Sequence, residues 1–212
     1  MTVLIGLKQD NFVLITGDTK STHMNGSNQT LDTYDSVVKV HPICENMIIG
    51  IAGSDRIGKA VVGAITPIFS LIHKLSVKEM IQHVQKTTIF IHDMYSQMHL
   101  DRDYDHLLLV VACIDHKEDK SYLYSLSSPS GFEPVEINGD CKAFGVKSQE
   151  VEEYIRTNMS RKYVNEHPIH LLSAAIRSID DQMVSKDTYS FILNKDKTAD
   201  YVFLDEQGNV KQ

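Results

Sequence analysis

The chain has 212 residues, of which 42% are hydrophobic and 23% charged, with a formal net charge of −7. That balance excludes the disordered and fibrous classes and supplies enough apolar side chains for a substantial core. No run of Lys or Arg exceeds a pair, which argues against a nucleic-acid or anionic-membrane surface and favours proteins or peptides as partners.

Taken in chain order, Val3–Lys8 and Phe12–Asp18 are β-rich runs joined by Gln9, Asp10 and Asn11, which predicts an antiparallel hairpin. The opening lacks the basic start and cleavage pattern of an export signal, so it reads as a first strand. Residues 19–35 are polar, with Asn25-Gly26-Ser27-Asn28 at the centre, and read as a loop. Strands are expected at 36–40 and 47–52, around a turn at 42–46. From 54 to about 75, apolar residues recur at helical spacing, and Pro67 should kink or interrupt that helix. Ser76-Val77-Lys78-Glu79 is a capping box opening a second helix that runs to about Met98. Residues 101–105 read as a solvated loop. Strands follow at 107–114, 121–126, 134–137 and 143–146, helices at 148–159 and 169–183, and closing strands at 189–193 and 201–204.

Runs of strands alternating with runs of helices predict an α+β fold, a four-layer αββα sandwich of two antiparallel sheets with helix pairs on the outer faces. No linker or repeat divides it, so residues 1–212 read as one domain. The longest nearly apolar stretches, 60–73 and 107–114, are too short or too interrupted to cross a bilayer. Three cysteines at unrelated spacings, Cys44, Cys113 and Cys141, fit a reducing compartment and a cytoplasmic location. The ten histidines make no metal-ligand pattern, and no metal or cofactor is expected.

Two segments carry possible chemistry. Gly53-Ser54-Asp55-Arg56-Ile57-Gly58-Lys59 fits the start of a phosphate loop between a strand and a helix. The next residue is Ala60, where a nucleotide binder needs a hydroxyl for magnesium, and the preceding strands do not supply a parallel βαβ unit. The other is spread over the first quarter of the chain: Thr2-Val3-Leu4-Ile5-Gly6, Gly17-Asp18-Thr19-Lys20-Ser21-Thr22, Val38-Lys39-Val40 and Gly50-Ile51-Ala52-Gly53. In order and residue type these four segments resemble the N-terminal-nucleophile hydrolases, the proteasome β-subunits and the bacterial proteasome-like (HslV-type) threonine peptidases. The loop between Thr22 and Lys39 is several residues longer than in that family.

The chemistry fits the resemblance. A threonine hydroxyl needs a base, and a free α-amino group, with a pKa near about 8, provides one within the same residue. Thr2 would activate itself once Met1 is removed, and a residue as small as Thr suits a methionine aminopeptidase. The resemblance implies Lys39 as a nearby ammonium that favours the alkoxide, Asp18 as its holder and the Gly53 N–H as oxyanion donor. It places the supporting serine at Ser148, after Gly145-Val146-Lys147, and the aspartate and serine beyond the last long helix at Asp181 and Ser185. Its pocket positions fall on Ser21, Val37, His41, Ile51 and Asp55, with Ile51 limiting depth and Asp55 favouring a basic group. Peptides or unfolded proteins would be the substrates, in a homo-oligomeric ring that an ATPase partner could serve. An inactive structural subunit of the same fold is the alternative. Thr2→Ala and Lys39→Ala are expected to abolish reaction without unfolding the chain, neither residue belonging to the core.

Overall fold

The computed structural model describes residues 2–24, 30–34, 36–71, 75–98 and 106–211. Met1 and the loops expected at 25–28 and 101–105 lie outside them. Six strands precede the first helix: β1 (Val3–Lys8), β2 (Phe12–Asp18), β3 (Ser21–Met24), β4 (Thr30–Tyr34), β5 (Val40–Cys44) and β6 (Met47–Gly53). Helices α1 (Asp55–Leu71) and α2 (Val77–Met98) come next, then β7 (Leu107–Asp115), β8 (Lys120–Ser127), β9 (Val135–Glu136) and β10 (Cys141–Gly145). The chain closes with α3 (Ser148–Asn158), α4 (Arg161–Glu166), α5 (Pro168–Arg177), β11 (Thr188–Asn194) and β12 (Ala199–Leu204).

Two five-stranded sheets form, in the orders β10-β1-β2-β11-β12 and β5-β6-β7-β8-β9, and β3 pairs with β4 as a separate ribbon. Neighbouring strands are antiparallel throughout. Because successive side chains of a strand point to opposite faces, each central strand feeds two cores. Met47, Ile49 and Ile51 of β6 pack with Leu109, Val111 and Cys113 of β7 under α1 and α2. Their alternates Ile48, Ala52, Val110 and Ala112 meet Leu4, Val13 and Ile15 from the other sheet. The remaining residues of β1 and β2, including Val3, Ile5, Leu7 and Leu14, pack beneath α3, α4 and α5. The α+β sandwich anticipated from the sequence is therefore present, with three helices rather than two on one outer face.

The capping box is made: the Ser76 hydroxyl accepts from the Glu79 amide at 3.3 Å, and the Glu79 carboxylate accepts from the Ser76 amide at 2.8 Å. Several local expectations are corrected. Residues 21–34 contain the β3–β4 ribbon rather than a loop. The strand expected at 36–40 begins only at Val40, because Ser36 takes a left-handed backbone with φ of 69°. It continues through Pro42, where a turn was expected, since β5 is an edge strand that tolerates a missing donor. Pro67 sits inside α1 without ending it; Gly63, whose carbonyl loses its donor, and Pro67 itself both lie on the water-facing side. Helix α5 stops at Arg177, short of 183, where the Lys186 ammonium takes the carbonyls of Arg177 and Ile179. Buried Ile179 and Val184 extend the apolar pattern past the helix itself.

Candidate active site

The antiparallel register gathers the quoted residues at one end of the sandwich. Val3 pairs with Gly145, and Leu4 with Gly17, so Thr2 lies at the mouth of β1 with Asp18 beside it and the end of β10 on its other side. Asp18 in turn faces Thr188 at the start of β11. The second sheet adds Lys39, immediately before β5, whose carbonyl accepts from the Ile51 amide of β6 at 2.8 Å.

Asp18 is the hub. Its Oδ1 accepts from the Lys39 ammonium at 2.8 Å and from the Val3 amide at 2.9 Å. Its Oδ2 accepts from the amides of Lys20 at 3.1 Å and Ser185 at 3.4 Å. Asp18 is only 1% exposed and Lys39 5%, so this ion pair sits away from water, where an unpartnered charge would be costly. Lys39 also donates to the Lys20 carbonyl. Burial pulls its pKa down and the Asp18 carboxylate opposes that shift. A lysine poised in this way, one residue from a threonine hydroxyl through a single carboxylate oxygen, is suited to electrostatic support of a nucleophile.

Thr2 is half-buried, and its carbonyl accepts from the Val146 amide at 3.2 Å. Gly145 has φ of 95°, and a Cβ there would lie 1.9 Å from the Thr2 carbonyl oxygen, so no other residue fits this approach. Gly53 ends β6 with φ of 89°, and a Cβ there would strike the His106 carbonyl. Ser185 joins the hub through its amide, and its hydroxyl accepts from Thr19 Oγ1 at 3.2 Å. Asp181 does not touch the hub; its Oδ1 accepts from the Met183 amide at 2.8 Å and shapes the loop leading to Ser185. Ser148 opens α3, and among the described residues no hydrogen bond ties it to Thr2, Asp18 or Lys39. Thr19, Lys20, Gly145 and Val146 are the partners that reasoning from the sequence had given no role. Thr19 and Lys20 stood inside the quoted motif, and Gly145 and Val146 entered only as residues preceding Ser148.

The pocket candidates are held by separate contacts. Ser21 opens β3, and the Val37 amide donates to the Thr19 carbonyl at 2.8 Å. Ile51 is 2% exposed, with α1 crossing so near that a Cβ on Gly58 would come within 2.3 Å of it. Asp55 pairs with Lys59 at 2.7 Å, so its charge is partly spent before any ligand arrives. Burial, and then the charge of Lys59, lower the pKa of His41 against the pull of Asp55. Among the described residues, His41 Nε2 and Asp55 Oδ1 are buried without a hydrogen-bond partner.

These contacts also account for the segment that resembled a phosphate loop. Gly58 allows the close crossing over Ile51, Lys59 neutralises Asp55, and β6 runs antiparallel to both β5 and β7, whereas a phosphate loop works in a parallel βαβ unit. Among the described residues no group of three or more His, Cys, Asp or Glu side chains is placed to hold a metal ion, and no helix is long and apolar enough to cross a membrane.

In comparison with known families, the model described as proteasome subunit matches residues 2–191, a span that opens on Thr2 and includes the whole Asp18 hub. Comparison with curated proteins gave no match.

Proposed function

The chain belongs to the proteasome subunit family, and from that premise we propose that it is a threonine peptidase whose nucleophile is the hydroxyl of Thr2. The observation that carries this reading is the single carboxylate oxygen of Asp18 that accepts from both the Val3 amide and the Lys39 ammonium, fixing a buried positive charge beside the chain's second residue. With Met1 removed, the free α-amine of Thr2 takes the hydroxyl proton as the oxygen attacks the substrate carbonyl. The tetrahedral oxyanion is met by the Gly53 N–H, a contribution of roughly 3 kcal/mol for one such donor. The amine then returns the proton to the departing amine of the substrate, and water hydrolyses the ester left on Thr2. Ser185 and Thr19 hold Asp18 in place, Asp181 shapes their loop, and Ser148 stands behind Gly145 as the supporting hydroxyl.

Peptides or unfolded proteins are the substrates in this reading, in a homo-oligomeric ring with its sites facing inward and an ATPase as feeding partner, located in the cytoplasm. Ser21, Val37, His41, Ile51 and Asp55 form the side-chain pocket. Ile51 floors it, and Asp55 favours a basic group to the extent that Lys59 leaves its charge free.

The test is a peptide epoxyketone, which bonds hydroxyl and α-amine together. Intact mass should find native chain starting at Thr2, this form alone should take up the reagent, and Thr2→Ala should abolish uptake while leaving the fold intact. Lys39→Ala is expected to cost stability as well, because it removes the counter-ion of the buried Asp18 carboxylate and leaves it only the amides of Val3, Lys20 and Ser185. A chain that begins at Thr2, refuses the reagent and cleaves no peptide is instead a structural subunit.

A further inference from the structure

The connection between β9 and β10 holds a reactive pair. Asn138 is followed by Gly139, and both are exposed in the stretch between Glu136 and Cys141. A backbone nitrogen can attack the side-chain carbonyl of the asparagine before it and close a five-membered ring, an intramolecular step that needs only the right approach. In a helix or strand that nitrogen is hydrogen-bonded and held away. Among the described residues no hydrogen bond engages the Gly139 N–H or the Asn138 side chain, and Gly139 has no side chain to obstruct the approach. Other asparagines are restrained. The Asn209 side chain donates to Asp205 at 3.2 Å, that of Asn46 to the Ile114 carbonyl at 3.2 Å and that of Asn194 to Thr198 at 3.0 Å, and none of the three precedes a glycine. The second Asn-Gly pair, at 25–26, lies outside the described residues.

We propose that Asn138 is a site of spontaneous covalent modification, converting to aspartate and isoaspartate within the folded protein. The Gly139 nitrogen bonds to Asn138 Cγ and gives up its proton, ammonia leaves, and a succinimide remains. Water then opens the ring. Breaking the Cγ–N bond gives aspartate on an unchanged main chain. Breaking the bond from nitrogen to the main-chain carbonyl gives isoaspartate, whose main chain runs through Cβ and Cγ and is one atom longer.

The two products act differently on the fold. Both set a new carboxylate between Glu136 and Asp140, which line a polar cleft with Lys8 and Asp10. Only isoaspartate alters the length of chain between two fastenings to a single residue: the Ile137 carbonyl accepts from the Lys8 ammonium at 2.6 Å, and the Asp140 carbonyl accepts from the Lys8 amide at 2.7 Å. Isoaspartate therefore loosens the end of β1 at Lys8, whereas aspartate changes charge alone. None of this depends on the chemistry at Thr2, at the other end of that strand.

The full chain, held folded in mildly alkaline buffer at about body temperature, should convert at Asn138, as located by peptide mass and by isoaspartyl methyltransferase labelling of the same peptide. Its rate should lie within about tenfold of a synthetic peptide of residues 133–142, a barrier difference of about 1.4 kcal/mol. A Cβ on Gly139 would meet only the Cys141 carbonyl oxygen, at 3.8 Å, so Gly139→Ala folds, and it should slow conversion about tenfold by crowding the nitrogen. In the isoaspartate form, hydrogen exchange at the Lys8 amide should rise about tenfold, while Asn138→Asp should leave it unchanged. An Asn138 that stays intact in the folded chain while the peptide converts overturns the site, and equal Lys8 exchange in all forms overturns its consequence.

Discussion

At the Thr2 end of the sandwich Lys39 lies buried and shares one carboxylate with strand β1. At the opposite end, Lys8, Lys120 and Lys195 line a polar cleft of about 680 Å³ together with Asp10, Glu136 and Asp140. There Lys195 pairs with Asp119 at 2.9 Å and Lys120 lies 3.9 Å from Glu118, each pair with at least one partner well exposed. Water screens the second set, and an exposed pair is worth about 0–1 kcal/mol. The first set has only its partners to replace water. The same residue type is thus tied into the fold at Lys39 and nearly interchangeable at exposed Lys120.

The sharpest way to break that contrast is Asp18→Asn, which leaves the Lys39 ammonium buried without its counter-ion. Denaturant unfolding should show a loss of about 3–5 kcal/mol, and a loss below about 1 kcal/mol would mean that water reaches the pair.

The contrast is sharpened by pH. Epoxyketone uptake should rise as the Thr2 amine loses its proton near about 8, then fall before the ordinary lysine value of about 10.4, because burial lowers the pKa of Lys39. A falling limb at or above that value would deny Lys39 its role. The sign for stability follows from the same shift. Between the folded value and about 10.4 the unfolded chain holds this proton more tightly, so Lys39 by itself makes stability rise with pH in that window. The smallest effect is expected at the other end: Lys120→Ala should move stability by less than about 0.5 kcal/mol and leave uptake unchanged, as measured by thermal melting and labelling.

How much of this could be read from the amino acids depends on what left a pattern in them. Strands β6 and β7 are nearly continuous apolar runs because both of their faces are buried, and the Ser76–Glu79 capping box announces α2. Asp18 and Lys39 stood out only as members of an ordered set, since either alone is an ordinary strand-end or surface residue. The β3–β4 ribbon escaped notice because it belongs to neither main sheet and its residues, Ser21-Thr22-His23-Met24 and Thr30-Leu31-Asp32-Thr33-Tyr34, carry no apolar alternation. The end of α5 was misread because Ile179 and Val184 stay buried after the helical hydrogen bonds have stopped. Lys20 and Val146 act through backbone amides, and a backbone amide has no signature in residue type.

The way the start of β1 is held bears on when the site becomes chemical. The Thr2 carbonyl is bound by Val146 and the Val3 amide by Asp18, so both fastenings lie on the C-terminal side of the Thr2 nitrogen. Cutting the peptide bond ahead of Thr2 touches neither. The strand, the buried ion pair and the glycine approach at 145 can all be completed while that bond is intact. On the threonine-peptidase reading proposed above, maturation is a change of one functional group, amide to amine, that leaves these fastenings in place, and folding can be finished before there is a nucleophile to guard against.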